Sequence, residues 1–252
     1  MQAQNVVVPD AKFLKALIAA GVDTNNDSII QTSEALVVTQ LSIGSLSIAN
    51  LTGIEAFTNI TSLACPINAL KTVDFSKNTL LQYLDIGGNR NVTKLDLSKN
   101  TALTSLDIIY TGLTTIDLSN NLQLQSLACN GTTYSGLNLN NLLTSLDVSK
   151  NTLLNSLSAT MNPSLKQICV NVDQFANKVA SWGKDSTCVW NANCTAITIT
   201  SITEISKPLV TTKIIRCYDI LGKDIDPNNT DYKGIIFYLY SDGKTKKAVR
   251  VD

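Results

Sequence analysis

Histidine is absent from this 252-residue chain, and charged residues make up only 16% of it. A typical soluble domain carries about 25%. Without histidine there is no Ser-His-Asp triad, no Cys-His dyad, no histidine-held zinc and no histidine pH switch. The 20 Lys and Arg balance 20 Asp and Glu, and no basic block occurs. That excludes nucleic acid as the main partner, because phosphate binding needs a concentrated positive field. No apolar run reaches the roughly 18 residues of a membrane-spanning helix. Six cysteines over this length are too few for a disulfide-dense framework. Walker loops, GxGxxG, GxSxG and metal-type C-x-x-C pairs are all missing. Gly243-Lys244-Thr245 lacks the upstream glycine of a phosphate loop and reads as a hairpin turn. The opening Met1-Gln2-Ala3-Gln4 reads as the stump of a removed secretory signal behind an added start Met.

What is abundant is Leu (32), Asn (25), Thr (28) and Ser (22). They fall in a repeat, L-x-x-L-x-L-x-x-N. One series runs Ile60/Leu63/Cys65/Asn68, Leu81/Leu84/Ile86/Asn89, Leu103/Leu106/Ile108/Thr111, Leu124/Leu127/Cys129/Thr132 and Leu154/Leu157/Ala159/Asn162. A second interleaves: Leu70/Val73/Phe75/Asn78, Val92/Leu95/Leu97/Asn100, Leu113/Ile116/Leu118/Asn121, Leu143/Leu146/Val148/Asn151 and Leu165/Ile168/Val170/Asp173. The step within a series is 21 or 22 residues, with one step of 30. This is the leucine-rich-repeat period. Half-repeats of 10 or 11 residues leave no room for a regular helix. The expected fold is therefore mainly β: a solenoid of five flattened coils with strands on both sides and one shared leucine core. The Asn at each turn is expected to satisfy backbone groups and to pair with the same Asn one coil along.

Both ends of such a stack need caps. Pro9-Asp10 predicts a helix start, with Phe13, Leu14, Leu17 and Ile18 on one face and Gly21 as the stop. Asp173 predicts a second cap helix through Phe175, Val179 and Trp182, ended by Gly183. The expected organisation is a helical cap over 1–40, an array over 41–172, a cap over 173–194 and a small β domain over 195–252.

Four features bear on chemistry. Asp23, Asn25, Asp27, Ile29 (by its carbonyl), Gln31 and Glu34 match an EF-hand loop at the spacing calcium needs, which predicts a structural calcium ion. The sixth place carries Ser28 instead of glycine, which must strain or alter the turn. The alternative is an Asx-rich turn that caps the next helix without metal. Asp74, Asp96, Asp117 and Asp147 recur at one place and either form an acidic row or serve their own turns beside Lys77, Lys99 and Lys150. The opposite face is small and polar, and only Tyr83, Asp85, Asp107 and Tyr110 offer much to a ligand. The long step inserts residues 130–142, either a binding loop with Asn130 and Tyr134 or an extra half-coil.

The blocks VVVPDAKFLKALI, DTNNDSIIQTSEA, LTGIEAF and the repeated LDLSKNT resemble secreted leucine-rich-repeat proteins of Flavobacterium-like bacteria. LKQICVNVDQFANKVASWGKDS, followed by a cysteine, is similar to their C-terminal cap. IIRCYDILGKDI and KGIIFYLYSDGKTKKAVRV resemble the sorting domain of type IX secretion, without its usual Asn-Pro start. The resemblance implies secretion or display on the outer cell surface, and a disulfide between Cys169 and Cys194, with Cys188 an alternative partner for either. Cys65 and Cys129 hold inward strand positions as packed thiols, and Cys217 is expected to stay free. The functional expectation is a non-enzymatic module for protein or glycan recognition and adhesion. A structural spacer or surface-layer component is the alternative, and a polysaccharide hydrolase using array carboxylates stands behind both.

Overall fold

The computed structural model describes residues 4–134, 137–139, 141–192, 214–219, 234–240 and 245–250. The chain divides into two compact units, Met1–Cys194 and Thr195–Asp252.

The first unit opens with α1 (Ala11–Ala19), whose N-cap is Asp10. One Asp10 oxygen accepts the N–H groups of Lys12 and Phe13, and the other accepts those of Ala49 and Asn50. One side chain thus caps the helix and ties it to the coil beneath. Phe13, Ala16 and Leu17 are buried, while Ile18, expected on that face, stands at the exposed rim. Gly21 ends the segment at φ +76°, and α2 (Thr32–Ala35) is a single turn.

Next come β1 (Gln40–Ser42), β2 (Ser62–Ala64), β3 (Tyr83–Asp85), β4 (Ser105–Asp107) and β5 (Ser126–Ala128). β6 (Thr132–Tyr134), β7 (Leu137–Leu139), β8 (Leu146–Asp147), β9 (Ser156–Ala159) and β10 (Gln167–Cys169) follow. α3 (Val172–Asn177), β11 (Gly183–Lys184) and β12 (Val189–Asn191) complete the unit. The main sheet is parallel, seven strands in the order β1-β2-β3-β4-β5-β9-β11. The middle residues Leu41, Leu63, Leu84, Leu106, Leu127 and Leu157 all point into one continuous core. Burying a leucine side chain fully stabilises by about 1.5–3 kcal/mol, so the core is the main driving force.

The sheet exceeds the five expected coils because each cap adds a rung, β1 from the N-terminal side and β11 from the C-terminal side. β11 falls outside the L-x-x-L pattern, whereas β1 keeps it, with Val38, Leu41 and Ile43 in register with Ile60, Leu63 and Cys65 of the next coil. Strands on both sides were expected; the second side pairs only at its end, in the order β12-β10-β8. There β10 reads Gln-Ile-Cys, without the usual Asp, and pairs over three residues with β12 and two with β8.

The turns are held by asparagine, but not as Asn–Asn pairs. Asn78 Nδ2 donates to the Ile54 and Phe57 carbonyls of the coil before it. Asn100 donates to Phe75 and Asn78, Asn121 to Leu97 and Asn100, and Asn151 to Leu118 and Asn121. Gln174, fully buried, then donates to Val148 and Asn151. It is the last rung of the ladder and also half of the capping box of α3, whose N-cap is Asn171 rather than the expected Asp173. In Asn78, Asn100, Asn121 and Asn151 the Oδ1 atom accepts no hydrogen bond among the described residues. Each such amide leaves one acceptor unpaired but satisfies two buried carbonyls. An orphaned buried group costs about 1–3 kcal/mol, so the exchange favours asparagine over any apolar residue.

On the other edge Asn68, Asn89 and Asn162 do the same and also accept backbone N–H groups through Oδ1. Thr132 was assigned to this column and does not belong to it. β6 and β7 form an antiparallel hairpin, so the insertion is a hairpin and not an extra half-coil. Asn141, beyond it, takes the rung: its Oδ1 accepts from Thr111 and its Nδ2 donates to Cys129.

In the second unit β13 (Ile214–Asp219), β14 (Gly234–Tyr240) and β15 (Thr245–Arg250) form an antiparallel sheet. The hairpin turn expected at Gly243-Lys244-Thr245 lies largely outside the described residues.

Replacing Gln174 by Ala orphans two buried carbonyls and should lower stability by about 2–4 kcal/mol. Asp173→Ala removes only an exposed bond from Asn177 and should cost about 0.5 kcal/mol or less. Urea unfolding of both variants checks the assignment; equal losses would refute it.

Candidate functional site

Two places gather the residues singled out in the sequence. The first is the loop between α1 and α2. Asp23 is buried, and its two oxygens accept the N–H groups of Asp27 and Ser28. Asn25 Oδ1 accepts from Asp27 N–H, and Asp27 Oδ1 from Ile29 N–H. Asn26 and Ser28 take φ +62° and +64°, so the turn keeps its left-handed shape without glycine and bears the strain. Around Asp27 Oδ2 two amides converge, Asn25 Nδ2 at 3.0 Å and Gln31 Nε2 at 2.8 Å. Gln31 Nε2 also donates to the Ile29 carbonyl at 3.3 Å. The loop therefore brings Asn25, Asp27, Ile29 and Gln31 together.

Glu34 lines the same hollow as Asn25, Asp27 and Gln31. Its Oε1 accepts the N–H and hydroxyl of Thr24, both at 2.7 Å, and its Oε2 accepts Gln31 N–H at 3.0 Å. These donors, Gln31 N–H first, outweigh burial and hold its carboxyl below the usual range. The donor set is of the hard-oxygen kind that calcium takes, with the Glu34 oxygens engaged by Thr24 and Gln31 of the same loop. Among the described residues no three acidic or cysteine side chains gather closely enough to hold a metal ion. The geometry thus fits a metal ion only in part, and hydrogen bonds already close the loop.

The second place is the outer face of the seven-stranded sheet. Its outward positions are Ser, Ala, Gln and Gly except in β3 and β4. There Tyr83 opposes Ser105, and Asp85 opposes Asp107. Ala64 and Ala128 flank the two aspartates on the next rungs. Asp85 Oδ1 accepts Gly87 N–H, and Asp107 Oδ1 accepts Ile109 N–H. Both Oδ1 atoms lie 3.2 Å from where a Cβ on Gly87 would stand. Burial, chiefly, raises both carboxyls above their ordinary range, and for Asp107 the charge of Asp85 adds to it. Burial and then both aspartates push the Tyr83 phenol up as well.

Beside them Arg90 lies 5.0 Å over the Tyr110 ring and donates to the Thr111 carbonyl. Tyr110 N–H donates to the Asn130 carbonyl, which links the two candidates through backbone only. The Tyr134 side chain lies outside the described residues.

One contributor was not foreseen. Ser45, Ile67, Gly88, Tyr110 and Met161 all have positive φ at matching places in their coils. Ile67, at φ +53°, is 65% exposed, an uncommon state for a β-branched residue. Gly88 at the same repeat position was the available signal.

The aspartate row serves its turns. Asp74, Asp96, Asp117 and Asp147 accept the N–H of Ser76, Ser98, Ser119 and Ser149 at 2.8–2.9 Å. These bonds are the largest cause holding Asp74, Asp96 and Asp117 low. Cys65 and Cys129 are buried free thiols. Cys169 is disulfide-bonded, and Cys194 lies outside the described residues. Cys188 is free, so it is not the alternative partner. Cys217 lies in β13, and its side chain is outside the described residues.

Two tests follow from this geometry. A carboxyl whose folded pKa is raised destabilises the fold once ionised. The penalty is absent below about pH 4 and sets in as pH rises through the raised value. Asp107→Asn should therefore raise Tm at pH 7 by about 1–2 °C, the effect of relieving one like-charged pair, and bring no gain near pH 3. A thermal melt series across pH reads this directly. We also propose calcium as a ligand of the N-terminal loop. A Tm rise with calcium over chelator, abolished by Asp23→Ala, supports that; identical melting counts against it.

No protein-family profile matches the chain. Internalin J of Listeria monocytogenes serotype 4b is 35% identical over 78 residues, which is 31% of this chain and 8% of that protein. The chain thus spans a small part of that relative's length. Among solved structures, an internalin (inlF) from Listeria monocytogenes superposes with a TM-score of 0.52 at 20% identity, covering 76% of this chain and 59% of that one. Internalin C2 of the same organism gives 0.50 at 18% identity, covering 67% and 80%. The chain has a leucine-rich-repeat solenoid fold like that of these internalins.

Proposed function

We propose that the chain is a secreted or surface-displayed module that binds a protein partner on the outer face of its seven-stranded sheet and performs no catalysis. One observation carries the reading: on a face otherwise built of small polar residues, the bulky and charged side chains gather at β3 and β4 and at the turns after β2, β3 and β4. Tyr83, Ile67 and the Arg90–Tyr110 pair supply residue types of which Tyr and Arg are enriched at interface hot spots. The ladder behind them fixes their backbone, so little order must be gained on binding.

The catalytic alternative has less behind it, since Asp85 and Asp107 are ladder neighbours and each already serves its own turn. Secretion and a sorting role for residues 195–252 rest on the sequence resemblance alone. No helix among the described residues is long and apolar enough to cross a membrane.

The purified chain should be screened against extracellular proteins and glycans. The expected result is a protein ligand whose affinity falls about 30-fold in Tyr83→Ala, a hot-spot loss of about 2 kcal/mol. A glycan hit lost in the same variant would replace the protein partner. Binding to neither class would favour the structural spacer.

A further inference from the structure

We propose that the gap at Gly87 seats the cationic end of one Lys or Arg side chain from the partner, shared between Asp85 and Asp107, while Ile67 and Tyr83 pack against its apolar neighbours. This rests on the outer face being a protein-binding surface and names the chemistry it selects.

Asp85 and Asp107 are the only charged residues on the outward positions of the seven strands. They stand directly opposite each other on adjacent parallel strands. Like charges so placed destabilise a sheet, and each aspartate returns only one turn hydrogen bond, as the Asp74 row does without facing a second carboxylate in this way. Neighbours do not offset them: the flanking rungs are Ala64 and Ala128. The nearby cation is committed, since Arg90 is held by the Tyr110 ring and the Thr111 carbonyl. One oxygen of each carboxylate is fixed by a backbone N–H, which sets its orientation. The second oxygen of each accepts no hydrogen bond among the described residues.

The space between them is kept open by Gly87. A Cβ there would stand 3.2 Å from both Oδ1 atoms, so even alanine would crowd the gap. Rungs one strand spacing apart, about 4.8 Å, let a single ammonium or guanidinium reach both carboxylates. The rim is apolar, with Ile67 65% and Tyr83 37% exposed. A free amine or metal cation would leave that rim unused; a basic side chain within an apolar segment would not.

The test uses the full chain and a panel of labelled nonapeptides. The flanks are apolar, and the central residue is Lys, Arg, norleucine or Glu. Lys and Arg peptides should bind about tenfold or more tighter than norleucine, and Glu least. The double variant Asp85→Asn, Asp107→Asn should erase that preference, and Gly87→Ala should weaken Lys and Arg peptides selectively. Near-UV circular dichroism confirms that each variant folds. Equal binding of Lys and norleucine peptides by the native chain overturns the cation seat but leaves the face as a protein-binding surface. A preference that survives the double variant, or no binding by any peptide, also overturns the seat.

Discussion

Side-chain amides that reach back to the carbonyls of the preceding coil are the interaction on which the molecule depends. A coil of 21 or 22 residues must turn sharply twice, and at each turn carbonyls face inward with no strand to pair them. Leucine burial drives the stack together but cannot satisfy those groups. Asparagine can, because its short amide carries two donors. Asn78, Asn100, Asn121 and Asn151 accept an unpaired Oδ1 in return for two paired carbonyls each. The relay has direction: every coil is closed by the one after it. It therefore needs a last donor, and Gln174 in the cap helix provides it.

This division of labour leaves the outer face free. Packing belongs to the leucines and turn chemistry to the amides, so the outward strand positions hold nothing together. Most are Ser or Ala. Where the face departs from that, at Asp85 and Asp107, two like charges face each other on adjacent strands, a cost set against one turn hydrogen bond each. Ile67 repeats the pattern, being strained and exposed at once. Costs of this kind on a rigid scaffold are most economically explained by recognition.

The solenoid was legible because its signal is repeated ten times: the leucine spacing fixes the inward positions and the asparagines mark the turns. The ends were less legible: β11 has no repeat to reveal it, and the β1 rung carries the repeat spacing only in the degenerate form Val38, Leu41 and Ile43. Gln174 escaped notice because it sits one residue beyond the aligned position, where Asp173 stood instead. β7, with Leu137 and Leu139, mimics the repeat pattern, and only its antiparallel pairing with β6 separates the two. In the candidate site, Tyr83, Asp85 and Asp107 were readable from alternation alone. Ile67 was not, because a left-handed backbone leaves little trace where the residue is not glycine. The EF-hand spacing was readable too, but spacing does not show that Glu34 accepts from both Thr24 and Gln31 inside the loop.

Hydrogen–deuterium exchange of Asn100→Ala against the native chain tests the relay most directly. Asn100 serves the carbonyls of Phe75 and Asn78, while its own carbonyl is served by Asn121. Loss of protection should therefore spread in both directions, to the coil holding Phe75 and to the coil holding Asn121. Loss confined to the turn around Asn100, with both neighbouring coils as protected as in the native chain, would contradict the account.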